Sequence, residues 1–151
     1  MGIEVRSLYF SNVLVYETSQ LKEEWQEPYF MMEDLALEKD FYKSGPVFFS
    51  VAPIQNEAKF GQFTYYLPIN EPIPLEEEGD FRFLEKFSIE EALVLRQADQ
   101  ELDFYAAYQK IKDYASDQKI DLVDTYYVVL IEAYGDLIID LYVPIKERGE
   151  R

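Results

Sequence analysis

The phrase YLPINE at Tyr66–Glu71 returns as YVPIKE at Tyr142–Glu147. Four of the six residues are identical, and the spacing of 76 positions is about half of the 151-residue chain. Each copy closes an apolar run, GQFTYYLPI in the first half and LIIDLYVPI in the second. Proline lacks the N–H that a sheet ladder needs, so Pro68 and Pro144 belong where a strand stops or lies at an edge. Two β-runs that end alike, half a chain apart, read as a duplication.

The segments between them agree. VRSLYFSNVLVYETS is rich in β-branched and aromatic residues and reads as one strand or two. The stretch QLKEEWQEPYFMMEDLALEKDFYKSG is helical in composition, with Trp25 and Tyr29 four apart on one face. Pro28 inside it predicts a kink or a new helix start, and Gly45 with Pro46 a C-terminal stop. PVFFSVAPI and GQFTYYLPI then form a hairpin across a long loop, QNEAKF. The prolines and acids of residues 70–80 suggest a linker. A second cycle follows. Residues 81–97 are strand-like, Asp99 is placed to cap a helix reaching about Gln118, and TYYVVLIE and LIIDLYVPI flank a turn at AYGD. In that helix Phe104, Ala107, Tyr108, Ile111 and Ala115 share a face. The expected fold is α+β: duplicated βαββ units, half-repeats about 1–75 and 76–151 of a single domain, forming one antiparallel sheet with helices packed on one face.

Composition narrows the chemistry. With no cysteine and no histidine, disulfides, thiol chemistry, imidazole bases and the usual transition-metal ligands are all missing. No Gly-rich phosphate loop or nucleophile elbow is present, and the acids at Glu76–Asp80 lack calcium-loop spacing. No cofactor is expected. The formal charge of −16 repels nucleic acid and anionic membranes and favours cationic small molecules or basic proteins. The first residues show no basic stretch followed by an apolar core, and no apolar run approaches a membrane span, so a cytoplasmic location is expected.

Five stretches carry a likeness to a known family: EALVLRQ leading into the second helix, TYYVV after it, the closing DLYVPIKE, and GPVFFSV with YYLPINE in the first half. Together they resemble the gyrase-inhibitor-like effector-binding domain, found also as the drug-sensing half of multidrug-response transcription activators. The resemblance implies a cleft between the two halves that takes bulky, often cationic or amphipathic molecules. The chain is also similar to stand-alone acidic proteins of Gram-positive bacteria, some encoded near secreted polymorphic toxins. It departs from the effector-binding pattern in two places. Relatives often have a Gly where this chain has Ala98-Asp99, and a ligand-facing glutamate where it has Val128.

Strand parity suggests where a ligand would lie. Leu137, Ile139, Leu141, Val143 and Ile145 alternate on a face beneath the helices, leaving Asp140 and Tyr142 on the other. Tyr66 matches Tyr142 by repeat, and parity in the preceding strand groups Tyr126 with Glu132. The expected ligand-binding set is therefore Tyr66, Tyr126, Glu132, Asp140 and Tyr142, with Trp25 as a lid or a packing residue. Rings around a carboxylate suit a cationic or amphipathic molecule. The sequence thus points to a non-enzymatic binding protein, monomer or homodimer, with no catalytic residues. The alternative is an acidic interaction module, an inhibitor, immunity or accessory protein of a toxin system, that meets a basic protein partner. A carboxylate and tyrosine hydrolase is a distant third.

Overall fold

A computed structural model describes residues 3–21, 24–38, 42–54, 57–70, 81–97, 104–133 and 136–146. The first cycle is strand β1 (Ile3–Leu21), helix α1 (Gln26–Glu38), and strands β2 (Phe48–Ile54) and β3 (Glu57–Pro68). The second is β4 (Phe81–Gln97), α2 (Phe104–Gln118), β5 (Tyr126–Ala133) and β6 (Asp136–Pro144). The α+β class and the βαββ duplication stand. Within each cycle the last strand lies between the other two, β1–β3–β2 and β4–β6–β5, with every pairing antiparallel. Two compact units result: an N-terminal unit of residues 9–88, and a C-terminal unit of residues 89–151 with residues 1–8.

The repeated phrase has a backbone purpose. Beyond Pro68, Ile69 donates to the Asn12 carbonyl (2.8 Å) and Asn70 to that of Tyr42 (3.0 Å), while Pro68 accepts from Ser44 (3.0 Å). Beyond Pro144, Ile145 donates to Glu91 (3.0 Å) and Lys146 to Asp121 (2.9 Å), and Pro144 accepts from Val123 (3.0 Å). The two sets correspond bond for bond. Each proline ends its ladder, and the residues after it fasten the segment leaving the helix. In the first cycle the accepting residue, Asn12, has a φ of 58°. Asparagine tolerates this left-handed conformation better than most residues.

In each unit the strands present one face to the helix. In the N-terminal unit Leu14, Phe49, Val51, Phe63, Tyr65 and Leu67 are buried at register positions of one row. Trp25 stacks on Phe49 there, with ring centroids 5.6 Å apart. The buried Tyr65 hydroxyl donates to the Trp25 carbonyl at 2.7 Å and accepts from Gln20 at 3.4 Å. In the C-terminal unit Leu93, Leu95, Val128, Leu130, Ile139, Leu141 and Val143 form the matching row. Of the expected α2 stripe, Phe104, Ala107, Ile111 and Ala115 are buried and Tyr108 is half-buried. Each large aliphatic side chain so covered contributes about 1.5–3 kcal/mol. Helix α2 ends with Lys119 at a φ of 59°, its N–H reaching Ser116 (3.3 Å) and that of Ile120 reaching Ala115 (2.8 Å). This paired closure satisfies carbonyls that the helix would otherwise leave open.

Several boundaries differ from expectation. Trp25 precedes α1 rather than lying on it, and Pro28 falls in the first turn, where its missing N–H is not needed. Gly45 does not cap α1, which ends at Glu38. A Cβ at Gly45 would meet the Phe10 ring at 2.7 Å, so close packing requires the glycine. The long hairpin loop is mostly strand, because Ile54 pairs with Glu57 after a register shift at Pro53. Apart from Asn70, the expected linker at 70–80 lies outside the described residues, as do the cap at Asp99 and the turn at Tyr134-Gly135. No helix among the described residues is long and apolar enough to cross a membrane.

Candidate ligand-binding face

The face of the C-terminal unit turned away from α2 is set by register. Directly opposite residues in an antiparallel pair share a face. Tyr142 lies between Val94 on β4 and Tyr127 on β5, and Asp140 lies between Arg96 and Val129. These residues form two adjoining rungs, one apolar and aromatic, the other charged.

Asp140 is 3% exposed, which without partners would be costly for a carboxylate. It is held from two sides. Arg96 grips it bidentately, Nε to Oδ1 at 2.7 Å and Nη2 to Oδ2 at 2.9 Å. The Nη1 of Arg6 stands 3.7 Å from Oδ2, and the rest of that guanidinium engages Glu4 at 2.7 and 2.8 Å. The hydrogen bond to Asp140 comes first among the causes that raise the Arg96 pKa, followed by the Coulombic attraction of the same carboxylate. For Arg6 the hydrogen bond to Glu4 leads, burial opposes it, and the Tyr142 hydroxyl adds to the rise. The Arg96 side chain is still 52% exposed, so solvent reaches the outer edge of the cluster. In the neighbouring rung Val94 and Tyr142 are buried and Tyr127 is half-buried.

The expected site residues divide between faces. Asp140 and Tyr142 share the far face as foreseen, both buried. Tyr126 does not join them. It lies at a register position of the helix-side row, its ring 4.6 Å from Tyr108 of α2. Glu132 pairs with Leu137, and its side chain lies outside the described residues. Tyr66 occupies the far face of the N-terminal unit, between Val15 and Phe48. There it stacks on Phe48 at 4.6 Å with planes 8° apart and meets Phe87 at 4.9 Å. Trp25 belongs to the helix-side face of that unit, against Phe49 and Tyr29.

Three residues of the face escaped sequence reasoning: Tyr127, Arg96 and Arg6. A signal for Tyr127 was available. If the turn at AYGD is a two-residue loop, Ala133 pairs with Asp136, and counting back sets Tyr127 opposite Tyr142. Arg96 stood inside a recognised strand but drew no notice as a partner for Asp140. Arg6 had no local signal, since its contact spans nearly the whole chain.

Comparison with solved structures places the fold among known ones. The EcmrR C-terminal domain superposes with a TM-score of 0.70 at 10% identity, over 97% of this chain and 99% of that one. Against EcmrR in its DNA complex the TM-score is 0.71 at 10% identity, over 96% of this chain and 58% of that one. SAV2435 bound to tetraphenylphosphonium gives 0.60 at 10% identity, covering 97% and 94%. A hydrolase from Listeria innocua gives 0.53 at 9% identity, covering 95% and 92%. At these identities the likeness is one of fold. No curated protein matches the chain. A family model does match, across residues 9–148, and the chain belongs to that family, described as Domain of unknown function (DUF5085).

Proposed function

We propose that this protein is a non-enzymatic ligand-binding domain that takes a small amphipathic molecule on the far face of its C-terminal unit. The observation that carries the reading is the Arg96–Asp140 rung set beside the Tyr142–Tyr127 rung. The half-buried Tyr127, backed by the buried Tyr142 and Val94, receives the apolar body, while the half-exposed edge of Arg96 receives an acceptor group. The likeness in fold to the EcmrR C-terminal domain and to SAV2435, which was solved with tetraphenylphosphonium, supports a binding role. A catalytic role has less support: the chain has no histidine or cysteine, and both Asp140 oxygens are already engaged by Arg96.

The same engagement bears on ligand charge. A cation seeking Asp140 must compete with two guanidiniums, so an acceptor-bearing amphiphile fits better than a lipophilic cation. Three probes of similar shape separate these cases: tetraphenylphosphonium, tetraphenylborate and neutral triphenylphosphine oxide. Calorimetric titration at two salt concentrations is expected to show saturable binding of the phosphine oxide, weakened about tenfold by Arg96→Met and lost in Tyr142→Ala. Preferential binding of the phosphonium, abolished by Asp140→Asn, would instead make Asp140 a counter-charge. No binding by any of the three would remove the ligand-binding reading.

A further inference from the structure

The two helices present different outer faces. Along α2 the exposed residues include Gln109, Lys110, Lys112, Asp113 and Asp117 with one large apolar ring, Tyr114 at 37%, a mixed set that carries both signs of charge. On α1, Glu27, Phe30, Met31 and Asp34 fall at i, i+3, i+4 and i+7, all exposed, with Phe30 at 56% and Met31 at 37%. These are large apolar groups to leave in water on a helix whose opposite side is properly buried through Pro28, Tyr29 and Met32. Phe30 is steadied by the ring of the buried Tyr29, 5.2 Å away, and methionine is an adaptable contact residue. The helix sequence QEPYFMMEDLALE contains acids and no base.

The geometry points to the outer face of α1 as a docking surface for a basic amphipathic helix of a partner protein. Such a helix would seat its apolar residues on Phe30 and Met31 and set lysine or arginine against Glu27 and Asp34. Charge decides among the occupants. A second copy would bring acid against acid between molecules that each carry −16, and an anionic lipid surface would be repelled in the same way. A basic helix is attracted from a distance and has an apolar anchor once it arrives. The surface belongs to the N-terminal unit and does not depend on the ligand reading.

The test uses a synthetic amphipathic peptide of leucine and lysine at helical spacing, with a glutamate-for-lysine counterpart and a scrambled-order control. Fluorescence anisotropy is expected to show saturable binding of the lysine peptide alone. Phe30→Ala/Met31→Ala should weaken it at least tenfold, and Glu27→Lys/Asp34→Lys by a similar factor. Lys112→Ala/Asp113→Ala on α2 should leave it unchanged. All four positions on α1 are exposed, and unchanged melting temperatures will establish that the variants fold. Equal binding by the Phe30/Met31 variant, or by the scrambled peptide, would overturn the proposal in favour of diffuse charge attraction. So would a wild-type dimer in sedimentation, or co-flotation with neutral phosphatidylcholine vesicles, that disappears in that variant.

Discussion

The two halves of this protein share a backbone plan and use it differently. Their strands pair in the same order, their prolines end the same ladders, and three backbone bonds recur in corresponding places. The far faces diverge at a few register positions. Where the C-terminal unit has Asp140 between Arg96 and Val129, the N-terminal unit has Thr64 between Glu17 and Ser50. Where the former has Tyr142 between Val94 and Tyr127, the latter has Tyr66 stacked on Phe48 and met by Phe87, while Phe10 stacks on Phe48 at 5.1 Å. The N-terminal face packs rings against rings beside an exposed Arg82–Glu17 pair. The C-terminal face instead buries a carboxylate in the grip of Arg96.

The largest test of the comparison concerns the repeated phrase. Ile69 is 1% exposed and Ile145 is half-buried, although both make the same backbone bonds. Ile69→Ala should cost about 3 kcal/mol and Ile145→Ala roughly half as much, read by urea denaturation. Equal costs would mean that the backbone clasp, not the side chain, carries the energy.

Next comes the charged rung. Arg96→Met leaves Asp140 buried with Arg6 alone and should cost about 2–3 kcal/mol, less than a fully buried pair because Arg96 is half exposed. Thr64→Val in the other unit should cost under about 1 kcal/mol. The double variant Arg96→Met/Asp140→Leu is expected to recover most of the loss; no recovery would show that the two residues contribute independently.

Tyr65→Phe removes the donor to the Trp25 carbonyl and should cost about 1–2 kcal/mol near neutral pH. Burial pushes the Tyr65 ionisation well up, with the Gln20 hydrogen bond partly offsetting it. The folded value is thus raised above the unfolded one. The tyrosine contribution is therefore complete below about pH 10, the ordinary value for tyrosine, and is lost as pH climbs through the folded value. The gap between wild type and Tyr65→Phe should narrow above pH 10 in stability profiles. The smallest effect is a gain: Lys119→Gly relieves the left-handed φ at the end of α2 and should add about 0.5–1 kcal/mol.

The fold was legible because duplication doubled the strand signals, two prolines ending two apolar runs bounded by turn residues, and the second helix added a clear apolar stripe. The ion-paired site was only half legible. Parity along β6 placed Asp140 and Tyr142 together without knowledge of their neighbours. Grouping them with Tyr126 required the register between β5 and β6, and a slip of one residue moves an entire row to the other face. Arg6 was beyond reach because no local pattern encodes a contact between the chain's opening and its final strand.

That contact says something about how the molecule can be divided. Residues 1–8 belong with the second half, where Arg6 meets Asp140, and residues 81–88 with the first, where Arg82 meets Glu17. Cutting at the linker would give two tidy βαββ fragments, each missing the strand opening and the arginine that complete it. The boundary of the repeat and the boundary of the compact unit therefore do not coincide. Each half of the repeat thus lends its opening strand segment to the other's compact unit.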